Sequence, residues 1–235
     1  MQRLGESALQ RLRNWDISES DLEAVQEEGR VSQNLTLRSP AGGIVLEKNG
    51  EIIGTGSGPI LEAGARAFCS ATKPLVTASP SYAQPAGAAR RVGASIKAIP
   101  VDRDLKLDLN AMAEAAKGAG MVFFCNPNNP TATAHPFSAV EQSVRGVKKE
   151  SPDTAILVDE AYIDYTYDPN VKTAVPLAKE LPGVFVARTF SKAHGMAGLR
   201  LGYAVGQPET VRAISQAWNL GSMNTLTAAG GITSL

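Results

Sequence analysis

Three short apolar runs limit what this chain can become. Met121-Val122-Phe123-Phe124-Cys125, Ala155-Ile156-Leu157-Val158 and Gly183-Val184-Phe185-Val186-Ala187 carry no charge. Continuous apolar runs of this length suit strands covered on both faces of a parallel sheet. The runs give way to polar motifs: Asn126-Pro127-Asn128-Asn129-Pro130-Thr131, Asp159-Glu160-Ala161-Tyr162, and a loop from Thr189 to Tyr203. Helical stretches such as Phe137–Glu150 lie between them. Strands alternating with helices predict an α/β fold, a mostly parallel sheet flanked by helices. Ligands in such sheets bind beyond the carboxyl ends of the strands, where all three polar motifs fall.

The remaining chain divides near residue 50. Residues 1–16 predict an amphipathic helix with Leu4, Ala8, Leu9 and Leu12 on one face, and Ser18 to Gly29 predicts a second. Residues 31–38 alternate as a strand. Pro40–Gly43 reads as a turn, Ile44–Glu47 as a strand, and Asn49-Gly50 as a hairpin leading to Glu51-Ile52-Ile53. This predicts a helical and β-hairpin leader over 1–50 and one domain over 51–235. The second part opens with Gly54-Thr55-Gly56-Ser57-Gly58, then Pro59 and a helical run, Ile60–Phe68. A strand, a glycine loop and a helix start favour an anion, through free N–H groups and the helix dipole. Many glycine loops are only turns. Further strands are predicted at Pro74–Ala78, Ser95–Pro100 and Leu201–Val205, with helices at Gln84–Val92, Leu109–Lys117 and Glu209–Leu220.

Composition excludes some classes of function. Lys+Arg and Asp+Glu are both 23, so a net charge of zero gives no support for a nucleic-acid or membrane-surface partner. No window reaches the apolar length of a membrane span. The N-terminus has no apolar stretch of the signal-peptide kind, so the cytoplasm is expected. Cys69 and Cys125 sit far apart in apolar surroundings and are expected to be free buried thiols. No residues are assigned to a metal.

The most reactive candidate is Lys192, in Thr189-Phe190-Ser191-Lys192-Ala193-His194-Gly195-Met196-Ala197-Gly198-Leu199-Arg200-Leu201-Gly202-Tyr203. A lysine held beside a carbonyl is a nucleophile. The aldehyde of pyridoxal 5'-phosphate (PLP) suits this setting, with Arg200 on a phosphate oxygen. Alone, the stretch fits a surface lysine in a glycine-rich loop equally well. Asp159, at a strand end, suits a protonated pyridine nitrogen, or else caps a helix. Tyr162 and Asn129 suit the ring's phenolic oxygen, or else turn chemistry. Tyr82, after a strand and a proline, suits stacking on the ring or a place in the core. His194 reads as a packing or hydrogen-bonding residue, because Lys192 is the better-placed base.

With these motifs in view, the sequence resembles the class I/II aminotransferases of PLP fold type I, in the histidinol-phosphate aminotransferase branch, from about Gly54 onward. Asn-Pro-Asn-Asn-Pro-Thr at 126–131, Val-Asp-Glu-Ala-Tyr at 158–162, and Thr-Phe-Ser-Lys with Gly-Leu-Arg-Leu-Gly-Tyr between 189 and 203 carry the resemblance. It implies that Lys192 forms a Schiff base with the cofactor and then shuttles the substrate's α-proton. It implies that Asp159 pairs with the ring nitrogen, and that Tyr162 and Asn129 bind the phenolic oxygen. Ser57, Gly58, Thr189 and Arg200 would hold the phosphate, and Tyr82 would stack on the ring. The implied reaction is ping-pong transfer between an amino donor and a keto acceptor in a homodimer, with a histidinol-phosphate-like substrate. The family carries glycine where this chain has Ala132. It also carries a small C-terminal domain with an arginine for the substrate carboxylate, which is expected to be absent from a chain ending at Leu235. Residues 1–49 more closely resemble a periplasmic adaptor of an efflux pump, through Gln10–Ser18 and Leu35–Val45. That resemblance implies an interaction module fused to an inert enzyme fragment.

Overall fold

The computed structural model describes residues 51–221 and 224–234. The helices expected over 1–16 and 18–29, the strands at 31–38 and 44–47, the turn at Asn49-Gly50 and the adaptor-like stretch lie outside the described residues.

Seven strands form one sheet: β1 (Glu51–Thr55), β2 (Leu75–Ser79), β3 (Ile96–Pro100), β4 (Met121–Cys125), β5 (Ala155–Asp159), β6 (Val184–Thr189) and β7 (Leu201–Gly206). Their spatial order is β1-β7-β6-β5-β4-β2-β3. Pairing is parallel from β3 through β2, β4 and β5 to β6. Only the pairs made by β7 are antiparallel, with β6 and with β1. The carboxyl ends of the other six strands and the amino end of β7 therefore meet along one edge. The helices are α1 (Ser57–Phe68), α2 (Gln84–Arg91), α3 (Leu109–Ala115), α4 (Phe137–Glu150), α5 (Val175–Glu180), α6 (Pro208–Ala217) and α7 (Thr225–Thr233).

Strand alternation divides the core into two layers. Leu75, Phe123, Leu157 and Phe185 face one way and pack with Ile60 and Leu61 of α1 and Ile214 of α6. Val76, Val122, Phe124, Ile156, Val158 and Val186 face the other, with Met112 of α3, Val140 and Val144 of α4, and Leu177 of α5. Burying each such side chain stabilises by about 1.5–3 kcal/mol before conformational entropy is counted. β4 and β5 are buried along their whole length, as their unbroken apolar runs require. Helix α1 lies so close to the sheet that a Cβ at Gly64 would overlap the Phe185 ring.

Several boundaries differ from expectation. Gly54 and Thr55 belong to β1, which joins the large sheet by pairing with β7. Helix α1 starts at Ser57, immediately after Gly56 at φ 84°. Helices α3 and α6 end earlier, at Ala115 and Ala217. Two helices were not legible. In α5 there are only 6 residues, too few to show a period. In α7, two glycines and three threonines mask a helix whose start is capped by Asn224, which accepts from the Thr227 N–H at 2.9 Å. Among the described residues no helix is long and apolar enough to cross a membrane.

Candidate active site

The sheet edge opens into a cavity of about 440 Å³. All nine residues singled out from the sequence line it: Ser57, Gly58, Tyr82, Asn129, Asp159, Tyr162, Thr189, Lys192 and Arg200. They come from the ends of β1, β2, β4, β5 and β6 and from the start of β7, so the fold assembles the cavity from six strands.

One end of the cavity is a buried carboxylate. Asp159 closes β5 and is 2% exposed. It accepts one hydrogen bond, from the Ala161 N–H at 3.2 Å. Among the described residues it forms no ion pair. Burial pushes its carboxyl up to about 7, the Glu160 charge adds to the rise, and Lys192 opposes it. The buried Cys125 thiol, opposite Asp159 in the β4–β5 register, is pushed far up by burial and is not a nucleophile.

The other end is cationic and polar. Arg200 takes the left-handed conformation at φ 57°, ψ 58° just before β7, a strained choice for a side-chain-bearing residue. Its Nη1 donates to the Ala197 carbonyl at 2.7 Å and to Ser191 Oγ at 3.4 Å; its Nη2 reaches the Thr55 carbonyl at 3.4 Å. A Cβ at Gly56 would overlap this guanidinium, and one at Gly202 would overlap the Gly56–Ser57 backbone. Glycine at both positions lets the arginine and β7 close onto the start of α1. Ser57 and Gly58 open that helix beside the arginine, offering an anion the helix's free N–H groups.

Between the two ends stands Lys192, its Nζ 5.2 Å from the centre of the Tyr162 ring. The loop is anchored by Thr189, whose Oγ1 donates to the Leu201 carbonyl at 3.4 Å and accepts from the Ser191 N–H at 3.1 Å. Phe190 is buried, and the His194 ring lies against it with centroids 4.7 Å apart. His194 Nδ1 is 3.3 Å from the Ser234 carbonyl oxygen. The histidine therefore packs and hydrogen-bonds, as its sequence setting suggested.

The three asparagines of 126–131 have separate tasks. Asn126 Oδ1 accepts from the His135 N–H at 2.8 Å, and its Nδ2 donates to the His135 carbonyl at 3.1 Å. Asn128 is also bonded within the scaffold, and Asn129 lines the cavity. On the far side of Asn129 and Tyr162 lies a second recess of about 430 Å³, walled by Pro130, Ala132 and Tyr165.

The sequence reading did not single out Thr55, Gln84, Cys125 and Ser191, which also line the cavity. Gln84 Oε1 accepts from the Tyr82 hydroxyl at 3.1 Å. Thr55 meets Arg200 through its carbonyl, which has no side-chain signature. Ser191 was visible within Thr-Phe-Ser-Lys. Among the described residues no cluster of histidine, cysteine and carboxylate side chains is arranged to hold a metal ion.

A family model described as Aminotransferase class I and II matches residues 37–235. This match begins inside the stretch read as adaptor-like and before the expected start near Gly54. The chain is 38% identical over 186 residues to the histidinol-phosphate aminotransferase of Symbiobacterium thermophilum, covering 78% of this chain and 50% of that protein. It is 40% identical over 140 residues to an aromatic amino acid aminotransferase of Nocardia farcinica, covering 58% and 38%. Among solved structures it resembles the histidinol-phosphate aminotransferase of Sinorhizobium meliloti in complex with pyridoxal-5'-phosphate. There the TM-score is 0.72, the identity 23% and the coverage 98% of this chain and 59% of that one. The chain spans about half the length of the curated relatives it matches.

Proposed function

The chain belongs to the class I and II aminotransferases, and we propose that its cavity binds PLP and serves the transfer of an amino group from an amino donor to a keto acceptor. The carrying observation is Asp159: a buried carboxylate with one backbone donor and no ion pair among the described residues. A buried anion of this kind is costly unless a cation meets it. The protonated pyridine nitrogen of PLP is such a cation, and the cationic, N–H-rich end at Arg200 and Ser57 suits its phosphate. The cavity volume accommodates a molecule of that size.

Bound there, PLP supplies an aldehyde that condenses with amines and a ring that draws electrons from the carbon bearing the amine. The protein's residues divide the remaining work. Lys192 Nζ is the amine that holds the cofactor and the base that takes the substrate's α-proton. Asp159 keeps the ring nitrogen protonated. Tyr162 and Asn129 would donate to the phenolic oxygen, and Tyr82 would lie against the ring face. Ser57, Gly58, Thr189 and Arg200 hold the phosphate. The names of the relatives support an amino-acid-like substrate, with histidinol phosphate as the first to test. The resemblance supports a cytoplasmic homodimer and a place in histidine biosynthesis.

The deciding experiment is an absorbance titration with PLP, beside Lys192→Ala, followed by borohydride reduction and peptide mapping. The expected result is a lysine-dependent band and a pyridoxyl label on Lys192. A folded chain that takes no label there contradicts the proposal.

A further inference from the structure

Asn128, the middle asparagine of the 126–131 loop, is 2% exposed and has every polar side-chain atom engaged. Its Oδ1 accepts from Ser81 Oγ at 2.8 Å. Its Nδ2 donates to the Pro80 carbonyl at 3.1 Å and to Thr131 Oγ1 at 2.8 Å. Its backbone closes the same loop: the N–H donates to the Thr133 carbonyl, and the carbonyl accepts from the Ala132 N–H, each at 2.8 Å.

These bonds link two loops that the sheet itself does not join. Pairing between β2 and β4 ends at Thr77 and Phe123. Beyond that point no ladder pair joins the two strands, and the Asn128 side chain bridges the loops that follow them. The residues flanking the bridge line the cavity: Tyr82 follows Ser81, and Asn129 follows Asn128. The link continues from Thr131 Oγ1 to Thr133 Oγ1 at 2.8 Å, and from Thr133 Oγ1 to the Leu105 carbonyl at 2.8 Å. Three loops at the sheet edge are thus fastened through one amide.

We propose that Asn128 is a positioning residue, setting the gap between Tyr82 and Asn129 and so the cavity's grip on a planar aromatic ligand. The proposal rests on the PLP reading for its ligand, and on the hydrogen bonds of Asn128 for everything else. An amide is required here because one group must accept from Ser81 and donate to both Pro80 and Thr131. Aspartate keeps the acceptor and loses both donors. Alanine leaves the buried partners unmatched. Ser81→Ala removes a single bond of the bridge.

The test uses the full chain with fluorotyrosine incorporated, the Tyr82 signal being assigned with Tyr82→Phe. In the ligand-free protein, Asn128→Ala and Asn128→Asp shift or broaden the Tyr82 fluorine signal, and Ser81→Ala does so less. PLP affinity falls about tenfold in the Asn128 variants, with Lys192 still the labelled residue. Combining Asn128→Ala with Ser81→Ala costs less than the sum of the two, because both break one bridge. A folded Asn128→Ala with an unchanged Tyr82 signal and wild-type PLP affinity overturns the proposal. If Asn128→Ala does not fold, unchanged Tyr82 signals in Asn128→Asp and Ser81→Ala overturn it. A wild-type chain that takes up no PLP sinks the functional reading alone, and the fluorine signals then decide the role of Asn128 without it.

Discussion

The two ends of the cavity are built on opposite principles. At one end a carboxylate is sealed beneath the sheet edge, with burial working against its charge. At the other an arginine stands exposed, propped by three protein oxygen atoms in a strained backbone conformation. The anion is held by the apolar core and the cation by polar contacts at the surface. A dipolar, planar ligand meets both demands at once, and its loss affects the two ends differently. The buried end bears a stability penalty while its charge is unpaired, whereas the exposed end already has protein oxygen atoms as partners.

Asp159→Asn tests the buried end and has the largest expected effect. On the role proposed for Asp159, losing the ring-nitrogen partner is expected to lower turnover roughly 100- to 1000-fold, the scale of removing one preorganised electrostatic group. In the ligand-free chain the same substitution stabilises. The carboxyl is raised in the fold from 3.8 to about 7, so it binds its proton more tightly folded than unfolded. Its contribution to stability is full below pH 4 and is lost as the pH rises towards 7. Ligand-free wild type therefore loses stability across that window, and Asp159→Asn removes this part of the loss. Denaturant midpoints at pH 4 and pH 7.5 measure it. Equal pH slopes in the two proteins would show that the buried end bears no penalty, and the contrast between the ends would collapse.

The exposed end responds more modestly. Arg200→Gln weakens PLP binding about 10- to 100-fold, the value of hydrogen bonds to a charged group. It leaves ligand-free stability almost unchanged, since among the described residues Arg200 forms no ion pair. Arg200→Lys restores charge without the planar fork and recovers only part of the affinity. Titrations at two salt concentrations sharpen the point: wild-type affinity falls with salt, and that of Arg200→Gln falls less. A destabilised ligand-free Arg200→Gln would mean that this end, too, is built into the fold.

These two ends also mark what the sequence made legible. Asp159 was visible because it directly follows an unbroken apolar run, where an ionisable group has few roles available, and Lys192 was visible through its small-residue loop read together with the motifs upstream. The sheet was visible for the same reason, since β4 and β5 are covered on both faces. The contacts that hold Arg200 were less visible, since two of them are carbonyls, of Thr55 and Ala197, and a carbonyl is common to every residue. Gln84 was hidden because its role arises from α2 starting against Gly58, a tertiary event. Helices α5 and α7 were missed where brevity or glycine erased periodicity. The pairing of β1 with β7 joins residues more than 140 positions apart, so no local signal reports it.

The smallest predicted effect lies at Ala132, where the family carries glycine. Ala132 is exposed and adopts φ 56°, at the tip of the turn closed by Asn128 and Thr133. A left-handed conformation costs an alanine about 1–2 kcal/mol. Glycine removes that strain but gains freedom in the unfolded chain, which offsets about 0.4–1 kcal/mol. Ala132→Gly is therefore expected to stabilise by about 0.5 kcal/mol and to leave PLP affinity within about twofold. Thermal unfolding and a cofactor titration check the two parts separately. The Ala132 methyl also walls the recess behind Tyr162 and Asn129. A loss of affinity without a loss of stability would mean that this methyl supports Asn129 from behind. The turn would then belong to the cavity, and the division between scaffold and site would fall one residue further out.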